Sequence, residues 1–71
     1  MNMLDFTVEE INLIAMYLDV SKVATIMKIH DAYRFMEKDF QTIASSAARK
    51  LNLMTEEEFA DAHFIPADDD E

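Results

Sequence analysis

The sequence predicts an all-α fold, a small bundle of three main helices plus a short C-terminal fourth helix, on three observations. Gly is absent and Pro occurs once in 71 residues, which leaves little of the turn chemistry that hairpins and sheets use. Apolar residues recur at steps of three and four over long stretches, the period of an amphipathic helix. Helix-start signals, a capping Thr, Ser or Asp ahead of an apolar-periodic segment, recur along the chain.

The first helix starts at Phe6-Thr7-Val8-Glu9-Glu10-Ile11. The Thr7 hydroxyl is placed to accept from the Glu10 amide, and the Glu10 carboxylate to accept from the Thr7 amide. Phe6 can pack on Ile11, which makes a capping box with a hydrophobic staple. The helix is expected to run from Val8 to about Leu18, with Val8, Ile11, Ile14, Ala15 and Leu18 as its core stripe. Leu13, Met16 and Tyr17 widen its apolar surface, so it reads as the central, most buried helix.

Asp19 or Ser21 can cap a second helix from Lys22 to about Phe35. Val23, Ile26, Met27, His30 and Tyr33 line one side, Ile29 and Met36 widen it, and Thr25, Lys28 and Asp31 face away. Phe35 to Lys38 reads as a short connection, with Asp39 capping a third helix from Phe40 to about Leu51. Its stripe is Phe40, Ile43, Ala44, Ala47, Leu51 and Met54, and the alanines allow close helix approach. Gln41, Ser45 and Arg49 fall opposite.

Met54-Thr55-Glu56-Glu57-Glu58-Phe59 then repeats the opening device: apolar staple, Thr cap, acidic first turn, Glu at N3, apolar N4. A fourth helix from about Glu56 to His63 follows, with Pro66 beyond its end. The sequence thus reads as one helical domain over 1–65. Residues 66–71 form an acidic tail expected to be disordered, because four consecutive carboxylates have no large apolar group to anchor them.

Composition narrows the function classes. A chain of this size buries only about 60 to 65% of its unfolded surface, which disfavours a deep enclosed active site. The absence of Cys removes disulfides, thiolate zinc sites and Cys nucleophiles. The longest apolar run, Leu13 to Leu18, is far short of the roughly 20 residues a membrane span needs. With no basic region ahead of an apolar stretch near Met1, the cytoplasm is the default location. The net charge of −9 is uneven. Residues 1–17 hold three acids and no base, 18–54 four acids and six bases, and 55–71 eight acids and no base. Such a balance disfavours nucleic acid and anionic lipid as partners, since both repel it.

Three stretches, and one motif the sequence lacks, bear on chemistry. Met54 to Phe64 packs four carboxylates and a histidine together, but Glu58 and Asp61 are three apart while His63 is five from Glu58, so the histidine points elsewhere. The dipole of a helix start accounts for the acids. His30 beside Asp31 resembles a base with its orienting carboxylate, yet helix neighbours lie about 100° apart, and His30 belongs to the apolar face as a structural residue. A Gly-rich phosphate loop is impossible without Gly. A helix-turn-helix over the second and third helices lacks the turn glycine, and Gln41, Ser45 and Ser46 give its reading helix little charge. No catalytic, cofactor-binding or metal-ligating residue is assigned, and the protein reads as a non-enzyme.

The order of motifs points further. FTVEEINLIAMY near the start, Ser21-Lys22 opening the second helix, and ARKLNLMTEEEF in the last third together resemble the transposon-transfer assisting family, small acidic proteins of conjugative transposons in Firmicutes. The likeness runs from about Phe6 to Pro66, and FTVEEINL and MTEEEF are its strongest pieces. The stretch Lys28 to Lys38 departs from it, being richer in aromatic and basic residues. The resemblance implies a helical fold and an association with element transfer, and it brings no catalytic residues.

The expected function is therefore a non-catalytic accessory role in transfer of a conjugative transposon, through contact with a protein partner of the transfer machinery and with no cofactor and no membrane. Leu13, Tyr17, Tyr33 and Phe35 are the candidate contacts, as apolar groups left over once the bundle packs. The alternative is a nucleic-acid regulator. It would act by direct DNA contact through Lys22, Lys28, Arg49 and Lys50 in the basic middle, or by DNA mimicry through the acidic end.

Overall fold

A computed structural model of the chain describes residues 6–62 and 64. The expected 66–71 tail and His63 lie outside the described residues. The fold is all-α, with α1 Val8–Met16, α2 Lys22–Tyr33, α3 Lys38–Leu53 and α4 Glu56–Asp61. No helix among the described residues is long and apolar enough to cross a membrane.

Both Thr caps form as their sequences predict. Thr7 Oγ1 accepts from the Glu10 amide at 3.1 Å and Glu10 Oε1 from the Thr7 amide at 2.9 Å. Thr55 and Glu58 repeat the pair at 3.0 and 2.9 Å. Ser21 caps α2 through the Ala24 amide, while Asp19 Oδ1 accepts from the next amide, Val20. The start of α3 differs from expectation. It begins two residues earlier, at Lys38, with Glu37 as N-cap and no side-chain cap bond. Asp39 sits inside the first turn, where its charge favours the positive end of the dipole. The far ends of α1, α2 and α4 fall about two residues short of the expected limits, and α3 ends two residues beyond its own.

The central helix is α3, not α1: α1 and α2 both pack on it, and α4 packs on α2. Ala44, Ala47 and Leu51 are fully buried along its inner face, where small side chains let two neighbours approach the backbone. Phe6, Leu13, Ile14, Ile29, Met54, Phe59 and Phe64 complete the core. Phe64 joins the two capping devices, meeting the Phe6 ring edge-on at 5.5 Å and the Phe59 ring at 5.7 Å.

The faces that α1 and α2 bury are rotated from those expected. On α1 the inward residues are Glu10, Leu13 and Ile14, with Tyr17 half-buried after them, whereas Val8 and Leu18 are exposed. A polar group leads this stripe, so counting apolar positions misplaces it. On α2 the buried pair is Thr25 and Ile29, while Val23 and Met27 are 54% and 60% exposed and His30 is on the surface. Thr25 is tolerated inside because its hydroxyl is fully used. It donates to the Ser21 carbonyl at 2.8 Å and accepts from the Asp19 amide at 3.0 Å, so its burial strands no polar atom.

Candidate functional site

Glu10 is a buried and heavily hydrogen-bonded carboxylate, and its burial begins with its position. At N3 of α1 its carboxylate closes the capping box, and the same side chain turns toward α3. There Oε2 accepts from Ser46 Oγ at 2.6 Å and Oε1 from Lys50 Nζ at 2.8 Å. Ser46 and Lys50 are four apart and therefore neighbours on one helix face. Lys50 Nζ also lies 5.8 Å from the Phe6 ring centre, a favourable cation–π distance. Burial would raise the Glu10 pKa, but hydrogen bonds from Lys50, Ser46 and the Thr7 amide, with the Lys50 charge, outweigh it and hold the carboxyl below its ordinary value. A carboxylate so fixed ties α1 to α3 and is a poor proton donor at neutral pH.

Two of the three acids of the MTEEEF stretch, Glu56 and Glu58, are structural in the same sense. Glu58 closes the second capping box, and the Thr55 amide is the main cause that lowers its pKa. Glu56 Oε1 reaches across to accept from the Lys22 amide at 3.1 Å, which supplies an acceptor to the first turn of α2. Lys22 Nζ returns to the Met54 carbonyl at 2.7 Å. No three His, Cys, Asp or Glu side chains converge on one point among the described residues.

Of the four cations named for DNA contact, three are engaged within the fold. Lys22 and Lys50 are held as described, and Lys28 pairs with Asp19 at 3.2 Å. Arg49 is exposed on the outer side of α3.

Three of the four apolar contact candidates do come together. Leu13, Tyr17 and Phe35 line a groove of about 310 Å³ with Met16, Met36, Glu37 and Phe40, between the end of α1 and the turn that opens α3. Leu13 is not left over from packing; it is a core residue that forms the groove floor. Its walls are exposed, with Phe35 at 82%, Met16 at 72% and Phe40 at 53%. Phe35 is presented by a tight turn in which its amide donates to the Ala32 carbonyl and the Met36 amide to that of Tyr33. Arg34 stacks on the Phe35 ring at 5.5 Å. The remaining candidate, Tyr33, lies at the end of α2 and lines two other recesses, one of them apolar with Ile26, Ile29 and His30.

Sequence reasoning missed Met16, Met36, Glu37 and Phe40 as groove residues. Phe40 had an i, i+3, i+4 signal that assigned it to the core. In the fold it lies in the first turn of α3, 53% exposed, and lines the groove instead.

A family model described as "Putative transposon-transfer assisting protein" matches residues 6–66 of the chain. No curated protein and no solved structure matches it.

Proposed function

The chain belongs to the transposon-transfer assisting protein family, and from that premise we propose that it assists transfer of a conjugative transposon as a non-catalytic accessory, by holding an amphipathic helix of a partner protein in the groove between α1 and α3. The observation that carries this reading is the exposure of Met16, Phe35 and Phe40 around a floor already set by Leu13. Exposed aromatic and Met side chains at a concave apolar surface are the usual anchors of a protein contact.

Charge selects the kind of helix. The chain carries −9, the Glu37 carboxylate stands in the groove lining with no side-chain cap bond, and the last turn of α1 holds no base of its own, while the nearby Arg34 lies on the Phe35 ring. A helix with an apolar stripe flanked by Lys and Arg complements this rim, whereas a second copy of the chain brings −9 against −9. Direct reading of duplex DNA is less well supported, because Lys22, Lys28 and Lys50 are engaged within the fold.

Affinity capture from a donor cell carrying the element tests this reading, with wild type compared against Phe35→Ser plus Phe40→Ser. Recovery of a transfer, replication or regulatory protein of the element by wild type, and its loss with the variant, supports the proposal. Recovery of no such protein, or equal recovery by the variant, overturns it.

A further inference from the structure

On the outer side of α3 lies a recess of about 560 Å³ lined by Tyr33, Lys38, Gln41, Thr42, Ser45, Ser46 and Arg49. In a chain with 15 acids and six bases, this lining holds two cations and no carboxylate. At 100° per residue Lys38, Thr42, Ser45 and Arg49 fall within about 60° of arc, so they form one stripe facing away from Ala44, Ala47 and Leu51. Lys38 and Arg49 lie about 16 Å apart along the axis, one at each end of the stripe. Neither side chain takes part in an ion pair or a hydrogen bond among the described residues, in contrast to Lys28 and Lys50.

The polar groups between them are oriented. Gln41 Nε2 donates to the Tyr33 carbonyl at 3.0 Å, which holds the amide against the end of α2. Thr42 donates to the Lys38 carbonyl at 3.3 Å. Ser46 donates to Glu10, the carboxylate behind the recess, whose charge Lys50 offsets at 2.8 Å. Ser45 and Tyr33, both exposed, line the recess as well. Asp39 is about 100° from Lys38 around the helix, off the stripe.

We propose that this recess binds nucleotide units, with phosphate oxygens accepting from Lys38, Ser45 and Arg49 and a base lying against the Tyr33 ring. Cations for the phosphate and an aromatic face for the base are the two elements that sequence-tolerant nucleotide recognition combines. The recess is open to solvent, so a nucleotide would lie along it rather than be enclosed. Glu37 and Asp39 flank Lys38 in sequence, and the more distant acids act through solvent, where screening over about 8 to 10 Å limits their repulsion at moderate salt. The same chemistry is offered by a free nucleotide and by a single strand. The site uses none of the apolar groove, so it stands or falls separately from the partner contact.

Amide spectra of the full chain at low salt, titrated with inorganic phosphate, thymidine monophosphate and an oligothymidylate of about ten nucleotides, test this. Saturable shifts at Tyr33, Thr42, Ser45 and Arg49 are expected with both thymidine ligands. Binding should weaken at least about tenfold in Lys38→Gln plus Arg49→Gln, two exposed changes that leave the melting curve in place. Equal affinity per nucleotide assigns the site to free nucleotides, and an oligonucleotide about tenfold tighter or more assigns it to a strand. The proposal is overturned by no saturable shift, by shifts centred on another face, by undiminished binding in the double variant, or by inorganic phosphate binding as well as the nucleotide.

Discussion

Lys50 Nζ stands 2.8 Å from Glu10 Oε1 across the α1–α3 interface, joining residues 40 positions apart. The pair is asymmetric: the glutamate side chain is only 6% exposed and the lysine side chain 23%. Removing the lysine therefore strands a buried carboxylate, whereas removing the carboxylate frees a lysine that can reach water. Lys50→Met is expected to cost about 2–3 kcal/mol and Glu10→Gln less, about 1–2 kcal/mol, in urea unfolding.

Acid should erase part of that difference. The Glu10 pKa is depressed in the folded chain, because the hydrogen bonds and charge of Lys50, with Ser46 and the Thr7 amide, outweigh burial. A depressed carboxyl contributes stability above its unfolded value of about 4.5, and the contribution is lost as pH falls through the lower folded value. Asp19, lowered chiefly by the Val20 amide, and Glu58, lowered chiefly by the Thr55 amide, shift in the same direction. Acid also relieves the repulsion of a −9 chain, so the informative quantity is a difference. The gap in unfolding free energy between wild type and Glu10→Gln should hold from neutral pH to about 5 and close below it. A gap that widened on acidification would contradict the assignment.

Thr25→Val tests the rotated face of α2. The change keeps the volume but leaves the Asp19 amide and the Ser21 carbonyl without the hydroxyl each uses. Chemical denaturation should show a loss of about 1–2 kcal/mol, with Thr25→Ser retaining more of the stability than Thr25→Val. If Thr25 faced solvent, both changes would stay within about 0.5 kcal/mol.

Ala47 tests the close approach on α3. It is fully buried where two helices meet α3, so Ala47→Leu should overpack the core by about 1–3 kcal/mol and lower the thermal midpoint. Ala48, partly exposed one position on, should accept the same change with a smaller loss.

The helix count, the Thr7 and Thr55 caps and the α3 stripe were legible because each rests on residues within four positions of one another. The faces of α1 and α2 were not. Glu10 is drawn inward by Ser46 and Lys50, and Thr25 by a hydroxyl satisfied on both sides, and neither partnership has a local signature. The same limit applies to the groove. Tyr17 and Phe35 stand out as surface aromatics, but their meeting over Leu13 depends on where α1 ends and α3 begins. His30 erred in the opposite sense: apolar spacing placed it inside, and Thr25 and Ile29 take that role instead.

If the groove over Leu13 serves transfer through a partner, transfer frequency of the element depends on its walls, and donors carrying Phe35→Ser plus Phe40→Ser measure this. Both side chains are mostly exposed, so the variant should keep its helical signal and unfold within about 1 kcal/mol of wild type. Transfer should fall about tenfold or more, as expected for the loss of one anchoring contact. Wild-type transfer frequency from a folded, normally abundant variant would contradict it.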